Sequence, residues 1–414
     1  MASHQMKRYA PSIRRIAMIS YSFYESDNRV RRYAESLVER GDRVDVYSLA
    51  ENKDSASTAV VKGVVVHRLQ IRKRDERGPL HYAIRLLRFF AICSLVMIWR
   101  FPRSRYELVH VHNVPDFLVF AAWLPKIAGS KIILDIHDLV PELFMNKFRK
   151  SKDALVVRLL RLIEKVSAGF ADHVIASNDI WRQRLVSRSV SADRCSVFLN
   201  HVDERIFFPR PRPPKNGARL IVFPGGLQWH QGLDIAIQAF SRLVKSLPDV
   251  QFHIYGDGDR RAELERQALD AGLQGRVRFW NPVSITEVPD ILARADLGVV
   301  PKRADSFGNE AYSTKIMEFM SMGLPVVASR TRIDLYYFND SLVRFFTPSN
   351  VEEMALAMME VLEEKSIRER LVQNGLRYVE QHCWRNRKED YLRLIDSLIS
   401  GEGRGTEFKL RFRK

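Results

Sequence analysis

Short aliphatic and β-branched runs alternate with amphipathic helical stretches along nearly the whole chain, which leaves few folds open. "IRRIAMIS" predicts a strand, "DNRVRRYAESLVERG" a helix closed by Gly41, and "RVDVYSLA" the next strand, a βαβ opening of the doubly wound kind. "YELVHVHN", "KIILDIHD" and "ADHVIASN" read as three further buried strands, each ending in polar residues. In open parallel sheets ligands bind outside the carboxyl ends of strands, so those polar ends are candidate site residues. The alternation breaks at Ile206 to Ala218, "IFFPRPRPPKNGA", where four prolines prevent regular structure. It resumes with "RLIVFPGG", "DIAIQAFSRLVKSL", "VQFHIYGDGD", "AELERQALDAG", "RVRFW", "VPDILARA", "DLGVVP" and "PVVAS". Two α/β halves on either side of a hinge predict two Rossmann-like doubly wound domains facing a cleft. We expect boundaries at 1–205 and 206–383, with helix 384–400 ("RKEDYLRLIDSLIS" at its end) packing back on the first domain and 401–414 as a basic tail. A chain of 414 residues exceeds what one hydrophobic core usually supports, which agrees with two domains.

Three cysteines, Cys93, Cys195 and Cys383, lie far apart on apolar or helical stretches and form neither a disulfide framework nor a Cys-rich metal site. A reducing cytosol is the expected compartment, since "MASHQMKRYAPSIRRIAMIS" has no secretory h-region or cleavage site. The formal charge of +17 is uneven: nine Lys or Arg fall between Arg72 and Arg105 (Arg72, Lys73, Arg74, Arg77, Arg85, Arg88, Arg100, Arg103, Arg105), around "LLRFFAICSLVMIW". The uncharged run Phe89 to Trp99 is shorter than the roughly 20 apolar residues that cross a bilayer. A basic, apolar segment of this kind can lie in the headgroup region of an anionic membrane, at the inner leaflet of the cytoplasmic membrane; a buried core helix with solvated arginines accounts for the pattern equally well. Nucleic acid is not an expected partner, because the chain has no recognisable nucleic-acid-binding motif.

The chemistry concentrates in "SFGNEAYSTKIMEFMSMGLPVVAS", Ser306 to Ser329. Ile316, Phe319, Met320 and Leu324 recur at helical spacing, Ser313 or Thr314 suits the N-cap, and Gly323 suits the stop. That leaves Glu310 in the preceding loop and Glu318 one turn into the helix. First-turn N–H groups, the helix dipole and Lys315 would together attract a diphosphate, with a ribose near Glu318 and a sugar near Glu310. Carboxylates near helix starts also serve caps and dipoles, so spacing alone leaves both readings open. "FPGGLQWHQG" adds Gly225 and Gly226, where backbone can approach a ligand, and "YGDGDR" adds Gly256 and Gly258. Asp257 and Asp259 read as turn residues rather than a metal clamp.

In this order the motifs resemble the retaining GT-B glycosyltransferases of family four: the glycine turn "VFPGG", the turn "IYGDGD", the strand "ADLGVVP", and Glu310, seven residues, then Glu318 before "MSMGLPVVAS". "ADHVIASN" and "LNHVDERIFFP" resemble that family's inter-domain segment, with His201 where a glycine is usual between Asn200 and Asp203. The likeness covers most of the chain and is weakest from Ala50 to Arg105. It implies a GT-B fold and donor contacts from Gly225, Gly226, Gly256, Lys302, Asn309, Ala311, Tyr312, Ser313, Thr314, Lys315 and Glu318. Glu318 would hold the ribose hydroxyls, Glu310 those of the transferred sugar, and the N–H groups from Ala311 to Thr314 the diphosphate. His137, at the strand end "DIHD", would project toward the reacting centre; a hydrogen-bonded structural histidine is the alternative. One departure is plain: Leu227 and Gln231 stand near the places where many members carry an Arg and a Lys, which leaves Lys315, Lys302 or Arg303 to neutralise the diphosphate.

The implied function is transfer of a sugar from a nucleotide-sugar donor, a UDP-sugar, to a lipid-linked or polysaccharide acceptor in bacterial surface polysaccharide synthesis. The leaving phosphate oxygen would take the acceptor proton on the same face, giving retention without carboxylates on both sides of the sugar. The helix terminus takes the place of a cation, so neither a metal nor a cofactor is expected. A nucleotide-sugar epimerase of the same fold would act on the donor alone, and a non-catalytic sugar-binding or scaffold protein would do neither.

Overall fold

The computed structural model describes residues 13–52, 54–72, 79–148, 151–212, 217–305 and 307–401; Lys73, Arg74, Arg77, part of the hinge and the basic tail beyond Gly401 lie outside them. In the first half the chain forms β1 (Arg15–Ser20), α1 (Asn28–Arg40), β2 (Arg43–Ala50), β3 (Thr58–Val61), β4 (Val64–Ile71), α2 (Pro79–Ser104) and β5 (Leu108–His112). A 3-10 segment (Asp116–Ala122) and α3 (Trp123–Ile127) lead to β6 (Lys131–Ile136). There follow α4 (Val140–Phe148), α5 (Leu155–Phe170), β7 (His173–Ala176), α6 (Asp179–Arg188) and β8 (Cys195–Val197). These eight strands make one sheet in the order β3-β4-β2-β1-β5-β6-β7-β8, parallel except for the β3-β4 hairpin. Lys62 and Gly63 both take positive φ at the hairpin turn, the backbone that a two-residue connection between twisted strands requires.

The second half holds β9 (Arg219–Pro224), α7 (Leu233–Ser246), β10 (Val250–Tyr255), α8 (Arg261–Asp270), β11 (Val277–Trp280), α9 (Val288–Arg294) and β12 (Leu297–Val300). Then come α10 (Thr314–Ser321), β13 (Val326–Ser329), α11 (Arg332–Tyr337), β14 (Arg344–Phe346), α12 (Val351–Glu363), α13 (Lys365–His382) and α14 (Trp384–Ser400). Its six strands form a second, all-parallel sheet in the order β11-β10-β9-β12-β13-β14. Both orders reverse direction beside the first strand of the domain, at β1/β5 and at β9/β12. Those switch points open crevices at the carboxyl ends of the strands.

Buried strands need cover on both faces, and each sheet has it. On one face of the first sheet α1 and α14 bury Val30, Tyr33, Leu37, Trp384 and Tyr391. On the other, Leu86, Phe89, Cys93 and Met97 of α2, with Ala168 of α5 and Leu185 of α6, complete a second core. The last helix thus returns to the first domain: Trp384 Nε1 donates to Ser36 Oγ (2.9 Å), and Tyr391 Oη lies 3.0 Å from His110 Nδ1.

The sequence run Phe89 to Trp99 understated α2. The helix spans 26 residues, because Leu86 and Leu87 extend the apolar pattern past Arg85 and Arg88, and by length and composition His81–Ser104 could cross a membrane. It lies instead along the sheet. Leu86, Phe89, Cys93 and Met97 face inward, while Ile84, Leu87, Leu95, Ile98 and Trp99 are exposed.

Candidate functional site

Loops at the carboxyl ends of both sheets meet over two adjoining cavities of about 390 Å³ each. Thr314 and Glu318 of α10 line both. The first cavity is walled mainly by the first domain, including Arg29, Arg32, His137 and Asn200. The second is walled by Gly225, Gly226, Gly256, Pro282 and Lys315.

Glycine is required where β9 and β10 end. Gly225 has φ 149°, and a Cβ there would sit 2.4 Å from Lys315 Cε; Gly256 has φ 145°, and a Cβ there would sit 1.9 Å from the Gly225 carbonyl oxygen. The two turns are stacked, with Gly225 N donating to Tyr255 O (2.8 Å) and Gly256 N to Trp280 O (3.1 Å). Backbone at Gly225, Gly226 and Gly256 and the Lys315 side chain therefore line one wall of the second cavity.

The start of α10 is built to leave donors free. Ser313 takes the N-cap position, but its side chain makes no capping bond, and among the described residues no protein acceptor meets the N–H groups of Ser313, Thr314 or Lys315. Lys315 Nζ lies 4.9 Å above the Phe223 ring and donates to Gln231 Oε1 (3.3 Å). Burial pushes its pKa down to about 8, against the pull of Glu318. Burial likewise raises the Glu318 carboxyl, with Lys315 and Arg32 opposing. That carboxylate has no hydrogen-bond partner among the described residues and faces both cavities.

His137 follows β6 and is held by its backbone: its N–H donates to Asn113 Oδ1 (3.0 Å) and its carbonyl accepts from Ser177 Oγ (3.0 Å). Its ring lines the first cavity with Thr314 and Glu318, and Nδ1 has no partner.

Several expected donor contacts are otherwise occupied. Lys302 is buried, paired to Asp334 (3.0 Å) and bonded to the Ala311 carbonyl (2.7 Å), so it secures the loop before α10 rather than a phosphate. The Ala311 N–H is spent on Phe307 O (2.8 Å). The Asn309 side-chain oxygen accepts from Arg332 N (2.7 Å); the Tyr312 ring packs edge-on against Tyr337, but among the described residues no protein acceptor meets the Tyr312 N–H. Arg303 pairs with Asp234 and stacks on Trp229. Of the three bases considered for the diphosphate, Lys315 alone faces the cavity. Leu227 is fully buried and offers nothing there.

Glu310 lines neither cavity. Its Oε1 is bound by Arg184 of α6, in the opposite domain, with Arg332 3.5 Å away; its Oε2 is buried without a partner.

Sequence reasoning missed the arginines of α1. Arg29 grips both oxygens of Asp135 (2.7 Å each) and reaches Phe198 O (2.8 Å) and Asn200 Oδ1 (2.9 Å), so it fastens the inter-domain segment to β6. His110, His112 and Asp135 stand close enough to hold a metal. The Arg29 cation already satisfies Asp135, and His112 Nδ1 lies 2.9 Å from the same carboxylate, which makes the cluster a structural brace.

Free N–H groups, an ammonium and an unpartnered carboxylate on one helix turn suit a phosphorylated, polyhydroxylated ligand. Known proteins carry the same arrangement of domains. The Glycosyl transferase 4-like domain matches residues 26–201, and Glycosyl transferases group 1 matches 204–378. The phosphatidylinositol N-acetylglucosaminyltransferase gpi3 subunit of Schizosaccharomyces pombe is 26% identical over 308 residues, which cover 73% of this chain and 62% of that protein. A phosphatidylinositol N-acetylglucosaminyltransferase chain of Homo sapiens is 24% identical over 324 residues, and this chain again spans 62% of its length. Sucrose-phosphate synthase from Thermosynechococcus elongatus superposes with a TM-score of 0.76 at 16% identity, covering 94% of this chain and 100% of that one. HepE from Anabaena, solved with UDP and glucose, gives 0.68 at 17%, covering 94% and 99%. With two matched domains in this order, and the GT-B fold along nearly its whole length, the chain belongs to the group 1, 4-like glycosyltransferases.

Proposed function

We propose that the chain is a retaining transferase that moves a hexosyl group from a UDP-sugar to a lipid-linked acceptor at an anionic membrane surface. The observation that carries this reading is Glu318, an unpartnered carboxylate one turn into α10, beside free N–H groups and Lys315 and facing His137 across the shared cavity. The ribose diol would bond Glu318, and the diphosphate would lie on the N–H groups of Ser313 and Thr314 with Lys315 alongside. As the bond from the anomeric carbon to the phosphate oxygen breaks, negative charge grows on that phosphate, where those donors are fixed in advance. The acceptor oxygen bonds the same face of the carbon, and its proton passes to the leaving phosphate. His137 would orient the transferred sugar. For Glu310 to hold that sugar, its carboxylate must be released from Arg184 as the domains close. No metal is needed in this scheme.

Two helix faces support the membrane. On α2, Ile84, Leu87, Leu95, Ile98 and Trp99 are exposed, and on α5, Leu155, Leu159, Leu162 and Val166 are exposed at helical spacing with Arg158 and Lys165 beside them. Both helices pack on the same 3-10 segment, through Phe90 on Phe117 and Phe170 on Phe120, so the two stripes flank one surface. An apolar stripe bordered by cations fits a headgroup layer. The name of the Schizosaccharomyces pombe relative supports a lipid acceptor over a soluble glycan, and makes UDP-N-acetylglucosamine the first donor to try.

The test is incubation of the protein with UDP-N-acetylglucosamine or UDP-glucose and anionic lipid vesicles, with the product anomer read by NMR. Retained configuration in a lipid product, lost in Glu318→Gln, is expected. An inverted product would sink the retaining mechanism, and isomerised donor without acceptor would establish an epimerase.

A further inference from the structure

Arg32 is paired with no carboxylate among the described residues. It sits on α1, 5% exposed, with its guanidinium 5.5 Å from the Trp384 ring, and makes no hydrogen bond or ion pair with any described residue; Nε is buried without a partner. The arginines around it are all satisfied. Arg29 holds Asp135, Arg31 holds Glu35, and Arg205 holds Asp203 at 2.9 Å through both Nε and Nη2. Of the acids whose charge reaches Arg32, Asp203 is committed to Arg205 and Asp27 to the N–H groups of Arg29 and Val30 (3.1 Å each), while Glu318 shares its cavity but makes no ion pair with it. Burial holds the Arg32 pKa down at about 10, which still leaves it charged at neutral pH. A buried, unpaired cation is costly, and a folded protein retains one where a ligand compensates it. The side chain lines the cavity shared with His137, Thr314 and Glu318.

We propose that Arg32 is a phosphate anchor, contributed to the cleft by the first domain, opposite the α10 terminus that belongs to the second. A phosphate held between them would tie the domains together across the hinge, and would supply the second cation that Leu227 and Gln231 do not. The phosphate has two possible sources, the donor diphosphate and a phosphate carried by the acceptor; naming them rests on the transferase reading above.

Calorimetry of the full chain with inorganic phosphate, pyrophosphate, UDP and uridine tests the anchor. Arg32→Met, which keeps the packing on Trp384, is expected to weaken pyrophosphate by about tenfold or more and leave uridine unchanged, with Arg32→Lys in between. If saturating UDP abolishes Arg32-dependent phosphate binding, the donor diphosphate is the source. If phosphate still binds the UDP-saturated protein through Arg32, the acceptor is. Inorganic phosphate and pyrophosphate carry no nucleoside, so their binding scores the anchor even if UDP fails and the transferase reading falls. The proposal is overturned if wild type binds neither inorganic anion at millimolar concentration, or if a folded Arg32→Met or Arg32→Lys protein binds phosphate, pyrophosphate and UDP as wild type does.

Discussion

Arg184 on α6 of the first domain donates to the carboxylate of Glu310 in the loop before α10 of the second, while its other amino group reaches Glu142 at 3.0 Å. The pair joins the domains at the point where Asn178 Nδ2 also donates to the Glu310 carbonyl (3.1 Å). Removing Arg184 leaves the buried Glu310 carboxylate to Arg332 alone, 3.5 Å away, so the contact across the domains is lost while part of the charge compensation remains. Arg184→Gln is expected to lower Tm by a few degrees, and Arg184→Gln with Glu310→Gln to recover part of that. Thermal unfolding of the four proteins gives a coupling of about 1 kcal/mol; strict additivity would mean that the contact holds nothing together.

Lys302 and Lys315 are both buried lysines near α10, and they should fail in opposite ways. Lys302 is sealed on Asp334, so Lys302→Met leaves a fully buried carboxylate with only the Thr331 hydroxyl (2.7 Å) and no cation, and should cost about 3 kcal/mol of stability. Lys315 faces the glycine turns, so Lys315→Met should keep the wild-type Tm and weaken UDP about ten- to a hundredfold. Measuring Tm and UDP affinity on both variants checks the assignment. A stable Lys302→Met protein that has lost UDP would return Lys302 to the donor site.

Why Lys302 reads as a ligand residue in the sequence is itself instructive. It follows a strand at a sheet switch point, where polar side chains often serve a site, and its partner Asp334 lies beyond a whole helix and strand. The fold was legible because alternation is a local property: every strand and helix expected in the second domain is present, and β14 and α11 escaped only because they are short. The hairpin β3-β4 escaped too, although Lys62-Gly63 between two β-branched runs was a usable signal. The position of Glu318, one turn into a helix, was legible from the helix-start pattern. Arg32 was not, because "RVRRY" on an amphipathic helix reads as a solvated face, and what buries it is α14 from the far end of the chain. The apolar stripe of α5 was hidden for the converse reason, since its period matches that of a core helix and only the packing shows that no described residue covers it.

The pH dependence of donor binding follows from Lys315. Burial holds it at about 8, and only the protonated form attracts a diphosphate. Below pH 8 the ammonium is present and affinity should be flat on its account. Above pH 8 the free protein loses the proton, while bound diphosphate raises the lysine pKa and retains it. UDP affinity should therefore fall by up to tenfold per pH unit beyond 8. Lys315→Arg, which stays charged, should remove this alkaline limb. A wild-type profile flat to pH 10 would place the diphosphate away from Lys315.

Membrane docking makes a demand on α5 that α2 alone does not. Arg100, although on the basic helix, lies 3.0 Å from His67 Nε2 and 3.8 Å from Asp45, so reversing its charge should disturb the β2-β4 end of the sheet whatever the membrane does. The cleaner variants carry outward residues only. Leu159→Glu with Leu162→Glu removes the centre of the α5 stripe, and Arg88→Glu with Arg158→Glu reverses the cations on both helices; all four residues are exposed. Each pair should leave Tm and soluble UDP binding unchanged. The charge reversal should weaken binding to anionic liposomes by about 1 kcal/mol or more per cation, and raised salt should mimic it. The leucine pair should lower affinity at every salt concentration, because acyl contact is not screened. Liposome co-sedimentation from low to high ionic strength separates these effects. If the α5 pair sediments with anionic vesicles as wild type does, the stripe is not a membrane face, and its exposed leucines await a protein partner instead.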